Sequence, residues 1–178
     1  MSIQTTLAAQ YLQRGGVISI PTDTIQGLSC LPDELLALEK IIKLKRRSAN
    51  KGLILLSSDP AYVAAYVANP ALLDKINIGG EPTTYLLEAS ANAPSLLTGG
   101  FSTIAIRLTD NSLIQDLCTQ THSALVSTSA NTSGKDCATS ILQLKVFFGQ
   151  DLDYVIAPKN YNNQASKIIN LETGERVR

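Results

Sequence analysis

The sequence predicts an α/β fold (α+β in layout), with helices packed against a twisted mixed sheet. Short apolar runs alternate with segments of helical periodicity along the chain, and this interleaving favours a mixed sheet. The 178 residues suffice for one domain with a substantial core. A content of 44% hydrophobic and 17% charged residues is typical of globular proteins. No repeat or linker divides the sequence, so we expect residues 1–178 to form a single domain.

Five helical segments are predicted from apolar periodicity and boundary signals. The first begins near Ile3 and ends at Gly15-Gly16. The second follows Asp33, a candidate N-cap, and carries six Leu and Ile residues between positions 35 and 44. The other three cover residues 61–67, 112–121 and 140–148.

Seven strands are predicted from short apolar runs that end in turn residues. The first, residues 17–20, is stopped by Pro21, and the run at 53–56 is apolar throughout, as in a buried strand. The remaining candidates are residues 83–87, 104–107, 124–127, 154–157 and 168–171. Paired glycines at 79–80 and 99–100 indicate loops rather than domain boundaries.

Charge and cysteine content exclude several functional classes. Fifteen basic residues balance fifteen acidic ones, so nucleic-acid affinity would need a local basic patch. The N-terminal residues lack the features of a signal peptide, and the longest apolar run, residues 61–68, is too short to span a bilayer. Three cysteines and one histidine favour neither a zinc site nor a disulfide framework. We expect a cytoplasmic protein without membrane contact, in which Cys30 and Cys118 are buried and His122 is exposed.

A hydroxyl-rich segment, residues 127–134, follows the apolar run 124–126. Five of its eight residues, Ser-Thr-Ser-Ala-Asn-Thr-Ser-Gly, carry hydroxyls, which together with the Asn carboxamide offer many uncharged donors and acceptors. Such a segment suits a small polar ligand, because open α/β sheets bind ligands at the ends of strands. A Ser/Thr-rich turn that closes the strand accounts for the same residues.

A basic cluster lies where the second helix ends and the chain turns back towards a strand. Its members have no acidic neighbour within residues 43–51 and are Lys43, Lys45, Arg46, Arg47 and Lys51. Cations at a helix C-terminus offset the macrodipole, which accounts for two of the five charges. The remaining crowding is unfavourable unless an anion joins the cluster, and both Arg and Lys bind phosphate or carboxylate. An anion site and a solvated helix end therefore both remain open.

A third polar segment, residues 21–28, follows the first predicted strand. Thr22 and Thr24 suit either a ligand or hydroxyl–backbone turns. Asp23 could cap a helix, and Gly27 permits a positive φ. By itself this segment does not separate a ligand site from a turn.

Together, the three segments resemble the YrdC/Sua5 family of threonylcarbamoyl-AMP synthases. The matching motifs are Pro21-Thr22-Asp23-Thr24-x-x-Gly27-Leu28, Lys45-Arg46-Arg47-x-x-x-Lys51-Gly52-Leu53-Ile54-Leu55 and Ser127-Thr128-Ser129-Ala130-Asn131-x-Ser133-Gly134. The similarity runs over nearly the whole chain. It is closest to the single-domain, TsaC-type bacterial branch, without the C-terminal domain of the Sua5 branch.

The resemblance implies a YrdC-like fold, in which the sheet lies over a deep, positively lined cavity. It also implies a reaction: L-threonine and bicarbonate form a carbamate, which ATP adenylates to give threonylcarbamoyl-AMP and pyrophosphate. A separate transferase complex then passes the threonylcarbamoyl group to tRNA position 37. ATP is thus the expected substrate, with Mg²⁺ bound to the nucleotide, and tRNA and the transferase complex are expected partners.

The resemblance also implies the site residues. The family's K-x-R motif corresponds to Lys45 and Arg47, and its S-x-N motif to Ser129 and Asn131. These residues are expected to hold the nucleotide phosphates and the carbamate across the adenylate. Further expected substrate- or ATP-binding residues are Thr22, Thr24, Lys51, Arg107, Ser127 and Ser133. No metal-ligand set is expected, and no side chain has to act as nucleophile, because the substrates supply the nucleophiles.

Three short segments depart from the family pattern. Gln26 replaces a commonly aromatic residue, and residues 79–84 lack the Trp of the usual W-P-G-P-x-T and contain Glu81; both changes could alter the threonine pocket. Asn111-Ser112 stands in place of His-Pro. An alternative function is an RNA-binding module of the same fold without adenylation activity. The basic cluster supports it, and the neutral net charge opposes it.

Overall fold

Within residues 2–161 and 165–177, which the computed structural model describes, eight strands form one mixed sheet. The strands are β1 (Ile18–Pro21), β2 (Gln26–Ser29), β3 (Ile54–Ser57), β4 (Thr83–Glu88), β5 (Thr103–Leu108), β6 (Leu125–Ser129), β7 (Tyr154–Val155) and β8 (Lys167–Asn170). The helices are α1 (Ile3–Gln13), α2 (Leu35–Leu44), α3 (Ser95–Thr98), α4 (Ser112–Thr121) and α5 (Ile141–Phe148). None of these helices has the length and apolar character needed to cross a membrane. The predicted α/β class is confirmed.

The sheet order is β7-β1-β2-β6-β3-β5-β4-β8. Antiparallel pairs join β1 to β2, β2 to β6, β6 to β3 and β5 to β4, whereas β1–β7, β3–β5 and β4–β8 are parallel. The β1–β2 hairpin places Pro21 opposite Gln26, and β6 places Ser129 opposite Gly27. The pairing of β2 with β6 therefore brings the polar segment 21–28 beside the hydroxyl-rich segment.

Most predicted elements lie within one or two residues of their expected bounds. α4 covers residues 112–121 as predicted, because Asn111 Oδ1 accepts from the amides of Leu113 (3.1 Å) and Ile114 (3.3 Å). Ser140 caps α5 by accepting from the amide of Gln143 at 3.2 Å. Asn111 therefore serves as an N-cap, which gives a structural role to one departure from the family pattern.

Two predictions around α2 and the segment after β3 are wrong. Residues 61–67 contain two short 3₁₀ turns, Pro60–Tyr62 and Ala64–Tyr66, instead of one helix. The amide of Ala68 donates to Glu88 O at 2.9 Å, which draws this backbone to the end of β4. Asp33 does not cap α2, because its carboxylate accepts the hydroxyl of Tyr66 at 2.9 Å.

Strand β2 is an element that the sequence pattern does not predict, because its residues resemble a continuation of the polar turn. All four of its residues are buried, since β1 and β6 pair with its two edges. Gly27 lies in this strand and does not use the positive φ that a glycine permits. The short helix α3 and the 3₁₀ turn at Pro70–Lys75 are likewise not predicted.

Side chains alternate between the two faces of the sheet, and each face carries its own core. On β6, Val126 joins the larger core with residues of α2, α3 and α5, whereas Leu125 joins the smaller core with residues of α1 and α4. Ser127 and Ser129 share the face of Leu125, because they follow it by two and four residues. Both serines line a cavity on that face.

Two glycine backbones cross where the loop after α2 meets α3. A Cβ at Gly99 would lie 2.4 Å from the amide nitrogen of Gly52, and Gly99 ends α3 with a φ of +66°. A Cβ at Gly52 would lie 2.9 Å from the backbone oxygen of Thr98. The amide of Leu53 donates to Leu97 O at 2.8 Å beside this crossing. Glycine at both positions therefore allows the basic loop to approach α3.

We expect Gly99→Ala to lower the free energy of unfolding by about 2–3 kcal/mol, because the added methyl overlaps the backbone of Gly52 at a φ that favours glycine. Gly100→Ala is the matched control, since Gly100 has a φ of +81° but nothing within 4 Å of an added Cβ. Urea denaturation followed by circular dichroism measures both variants. Equal losses of unfolding free energy in the two variants would show that backbone strain at a positive φ accounts for the effect and that the contact with Gly52 adds nothing.

Candidate active site

A cavity of about 380 Å³ opens on the sheet face that carries the smaller core. The strands leave space at its floor because two small residues, Ala105 of β5 and Ser127 of β6, flank Ile54 of β3 in the sheet register. Among the described residues, the charged side chains that line it are Arg47 and Arg107. The cavity therefore suits an anionic ligand.

The turn between β1 and β2 contributes two hydroxyls to the cavity. Thr22 and Thr24 are 5% and 8% exposed, and both line it. Thr22 Oγ1 donates to Ile25 O at 2.7 Å and accepts from the amides of Ile25 and Thr24, each at 3.2 Å. The Thr22 hydroxyl thus stabilises the turn, and it does so at the wall of the cavity.

One buried ammonium group joins the basic cluster to the hydroxyl-rich segment. Lys45 is 3% exposed, and its Nζ donates to Oδ1 (2.8 Å) and O (3.1 Å) of Asn131 and to the backbone oxygen of Ser129. The Ser129 hydroxyl lies 3.3 Å from Nζ and donates to Asn131 Oδ1 at 2.7 Å. The amide of Ser133 donates to Lys45 O at 2.8 Å. The ammonium therefore holds both residues of the S-x-N motif in place.

The protonation of Lys45 is sensitive to its surroundings. Burial, followed by the positive charge of Arg47, lowers the pKa of Lys45 to about 8, against a smaller opposite effect of Cys137. The ammonium is therefore charged at neutral pH and loses its proton slightly above it. Because Ser129 lines the cavity, this titration occurs 3.3 Å from a hydroxyl at the cavity wall.

Arg47 folds the loop after α2 back on itself at the edge of the cavity. Its Nη2 donates to Gly52 O at 2.8 Å and its Nε to Lys51 O at 3.3 Å. These bonds orient a planar guanidinium, the group best suited to bidentate binding of phosphate or carboxylate. Lys51 itself is exposed and, like Ser133, lies outside the residues that line the cavity.

Arg107 of β5 lies in the cavity wall and is paired with Asp23 from the β1–β2 turn. The Arg107 side chain is 6% exposed, and its Nη2 contacts Asp23 Oδ2 at 2.5 Å while its Nη1 donates to Thr24 Oγ1 at 3.1 Å. Thr109 donates its hydroxyl to the same carboxylate oxygen at 3.2 Å. Burial lowers the pKa of Arg107, and Asp23 opposes this effect. Asp23 is thus a counter-ion, not the helix cap that the sequence suggested.

Several site residues escape the sequence analysis, among them Asp23 in the role just described and Ser166. Ser166 is 5% exposed, lines the cavity and lies 2.7 Å from Thr84 Oγ1 through its own hydroxyl. A signal for Asp23 does exist, because Arg107 stands in a buried strand and needs a carboxylate partner. No comparable signal exists for Ser166, since its hydroxyl and that of its partner Thr84 are both uncharged.

Gln26 and Glu81, two residues that depart from the family pattern, do not contribute side chains to the cavity lining. Gln26 is fully buried; its Nε2 donates to Ser19 Oγ and Ile156 O at 3.0 Å, and its Oε1 accepts the Tyr161 hydroxyl at 3.0 Å. Glu81 forms an ion pair with a lysine of β8. Neither side chain is among the described residues that line the cavity.

The cysteines and the histidine fall where the sequence predicts. Cys30 and Cys118 are buried, and burial raises the pKa of both thiols. His122 is exposed at the end of α4. In the part of the chain that the structure describes, no three His, Cys, Asp or Glu side chains are grouped to hold a metal ion.

The structure brings most of the expected site residues together. Those that line the cavity are Thr22, Thr24, Arg47, Arg107, Ser127 and Ser129. Lys45 and Asn131 lie behind Ser129 and contact it, so Lys45 meets the S-x-N motif directly instead of facing it across a ligand. Lys51 and Ser133 are exposed outside the lining.

The family model for Sua5/YciO/YrdC domains, described as "Telomere recombination", matches residues 10–178. The chain belongs to this family. This Sua5/YciO/YrdC protein is 38% identical to a protein of Nitrosococcus oceani named threonylcarbamoyl-AMP synthase. The alignment covers 97% of the chain and 95% of that relative. The similarity therefore spans both proteins almost completely.

Solved structures share the fold of this Sua5/YciO/YrdC protein. P. abyssi Sua5 in complex with L-threonine has a TM-score of 0.83 at 24% identity over 93% of this chain, which spans only 50% of the Sua5 chain. E. coli YciO has a TM-score of 0.82 at 23% identity, over 98% of this chain and 87% of YciO. The YrdC-like fold implied by the sequence motifs is confirmed.

We expect Asp23→Asn to lower the free energy of unfolding by about 2 kcal/mol, because it leaves the buried Arg107 without its counter-charge. The loss stays below that for a fully buried pair, since the Asp23 side chain is 26% exposed. Glu81→Gln is the control: it breaks an ion pair whose carboxylate is 61% exposed. We expect that change to cost less than about 1 kcal/mol. Urea denaturation compares the two, and a loss for Asp23→Asn no larger than the control would contradict the counter-ion role.

We expect the contribution of Lys45 to the free energy of unfolding to increase as the pH rises above 8. Its pKa is about 8 in the folded protein. In the unfolded chain the pKa of a lysine is about 10.4, so between the two values the unfolded state binds more protons and the free energy of unfolding increases with pH. The difference in that free energy between wild type and Lys45→Met, from urea denaturation, should therefore grow from pH 8 to pH 10 and be constant below pH 7.

Lys43→Met, at an exposed lysine of α2, controls for the loss of a lysine from the same helix. A wild-type minus Lys45→Met difference that stays flat or falls across this window would show that Lys45 is not held in a desolvated site.

Proposed function

We propose that this protein is an L-threonylcarbamoyladenylate synthase, a nucleotidyltransferase that makes threonylcarbamoyl-AMP and pyrophosphate from L-threonine, bicarbonate and ATP. One observation carries the proposal: the K-x-R and S-x-N motifs meet through Lys45 at the wall of a cavity lined by Arg47 and Arg107. The Nitrosococcus oceani relative named threonylcarbamoyl-AMP synthase supports the same activity.

The chemistry needs positioning and charge rather than a protein nucleophile. The amine of L-threonine attacks the carbon of bicarbonate, and loss of water leaves a carbamate. A carbamate oxygen then attacks the α-phosphorus of ATP, the bond from that phosphorus to the bridging oxygen breaks, and pyrophosphate departs. Negative charge grows on the phosphate oxygens during this step, and fixed cations and hydroxyl donors stabilise it better than mobile water does.

The two arginines suit different parts of the substrates. Arg47 is oriented by backbone oxygens of its own loop, and its planar guanidinium suits bidentate binding of the polyphosphate. Arg107 is already paired with Asp23, which leaves little net charge. A single carboxylate, such as that of threonine, is the better partner for Arg107.

Lys45 acts mainly through the hydroxyl-rich segment. Its ammonium is surrounded by oxygens of Ser129 and Asn131, and it adds positive potential behind them. Ser127 then offers its hydroxyl to phosphate or carbamate oxygens from the floor of the cavity, whereas the Ser129 hydroxyl donates to Asn131 Oδ1 at the cavity wall. Lys51 and Ser133 contribute from outside the lining, Lys51 through its charge.

Mg²⁺ enters with ATP as part of the substrate and keeps mostly water and phosphate ligands, which needs no carboxylate cage from the protein. The YrdC-like domain, residues 1–178, carries all the groups that these steps use. The reactive mixed anhydride then passes to a transferase complex that modifies tRNA position 37.

The purified protein should release pyrophosphate from ATP only when L-threonine and bicarbonate are both present, and mass spectrometry should detect threonylcarbamoyl-AMP. Lys45→Ala and Asn131→Ala should each lower kcat/KM by about 100-fold or more, the usual effect of losing a preorganised donor group. Lys145→Ala, at an exposed lysine of α5, is the control and should stay within about twofold of wild type. Circular dichroism checks that all variants fold.

Absence of threonylcarbamoyl-AMP with all three substrates present would refute the proposal. RNA affinity that collapses between low and moderate salt, without ATP turnover, would favour the RNA-binding module instead. Near-normal turnover in either alanine variant would mean that the two motifs do not form the reaction site.

A further inference from the structure

One phenylalanine stands exposed at the cavity. Phe101 is 63% exposed and lines the cavity, whereas Phe148 is 2% exposed and Phe147 packs against the larger core. Among the described residues that line the cavity, Phe101 is the only aromatic one. A phenyl ring left in water forgoes the favourable transfer of its apolar surface, so at a cavity it is available to cover an apolar part of a ligand.

The backbone that carries Phe101 is anchored on both sides. Before it, Gly99 is clamped against Gly52 of the basic loop, and the Phe101 amide donates to Thr98 O at 3.3 Å. After it, β5 begins at Thr103. The ring therefore has a defined place relative to the basic loop that carries Arg47.

A second exposed apolar side chain borders the same cavity from a distant part of the chain. Val177 is 60% exposed and lines the cavity, and its amide donates to Ile168 O at 2.8 Å. The cavity thus combines two arginines and many hydroxyls with two solvent-exposed apolar groups. A ligand that is charged at one end and flat and apolar at the other matches this combination.

We infer that Phe101 is the platform on which the adenine ring of ATP stacks, with Val177 adding apolar contact. The inference rests on the proposed function, which supplies the identity of the nucleotide. Threonine, bicarbonate and triphosphate are polar or charged and contain no ring, so adenine is the one aromatic ring system among the substrates. Stacking of a base on an aromatic side chain is favourable for purines and needs no hydrogen-bond partner from the ring. Phe101 is therefore a nucleotide-binding residue.

Fluorescence provides a binding test that does not depend on turnover. The chain contains no tryptophan, so Phe101→Trp places a single indole at the cavity. ATP should quench this fluorescence saturably, whereas inorganic tripolyphosphate at the same concentration should not. Leu142→Trp is the matched control, because Leu142 is 71% exposed on α5 and does not line the cavity. Its fluorescence should not respond to ATP.

Steady-state kinetics distinguish an effect on ATP binding from an effect on the binding of L-threonine. Phe101→Ala should raise the KM for ATP about tenfold, equivalent to about 1.4 kcal/mol, and leave the KM for L-threonine within about twofold. Phe101→Tyr should restore the KM for ATP, because it keeps the aromatic face. Phe101→Leu should not, because it keeps apolar area without a π-system.

Three results would overturn the inference: equal quenching of Phe101→Trp by ATP and tripolyphosphate, an unchanged KM for ATP in Phe101→Ala, or rescue by leucine as complete as that by tyrosine. In each case wild-type synthesis of threonylcarbamoyl-AMP would leave the proposed function standing. Conversely, selective quenching by ATP in a protein whose wild type makes no adenylate would support the base platform and refute the proposed function.

Discussion

The buried ammonium of Lys45 is the interaction on which the cavity wall depends. Backbone and side-chain oxygens of Ser129 and Asn131 converge on one point, where without a donor they would be desolvated and repel one another. Lys45 supplies that donor, and the same oxygens compensate the burial of its charge. This mutual dependence ties the end of α2 to the end of β6. It also fixes the Ser129 hydroxyl beside Asn131 Oδ1 at the cavity wall.

The cavity itself follows from how one sheet face is divided. On that face α1 and α4 cover the large apolar residues of the smaller core, among them Ile20 and Leu56. Further along, small groups at Gly27, Ala105 and Ser127 leave the space that forms the cavity. The pleat carries side chains of one strand alternately to both faces, so the same strands build a dry core and a polar floor. Fold stability and ligand binding therefore share these strands without competing for the same side chains.

Local signals explain which features were predictable. The first residues of α4 and α5 are set by N-cap side chains that bond within three residues along the chain, so the sequence predicts where these helices begin. β2 was not predictable, because its polar residues become a strand only between β1 and β6. Asp33 has the composition of an N-cap, yet a tyrosine 33 residues away takes its carboxylate. The three motifs indicated which segments share a site, whereas contacts such as Arg107 with Asp23 depend on pairings far apart in the chain.

The sequence by itself determined the α/β class, most helix and strand positions and the three polar segments that resemble the family. These are properties of local periodicity, capping and motif composition, which neighbouring residues decide. Only the tertiary structure decided that Lys45 lies behind Ser129 rather than opposite it, that Asp23 neutralises Arg107, and that Phe101 stands exposed at the cavity. Those outcomes depend on the sheet order and on the close approach of Gly52 and Gly99 at α3. Both bring together residues that are tens of positions apart, and the sequence around each residue does not indicate such contacts.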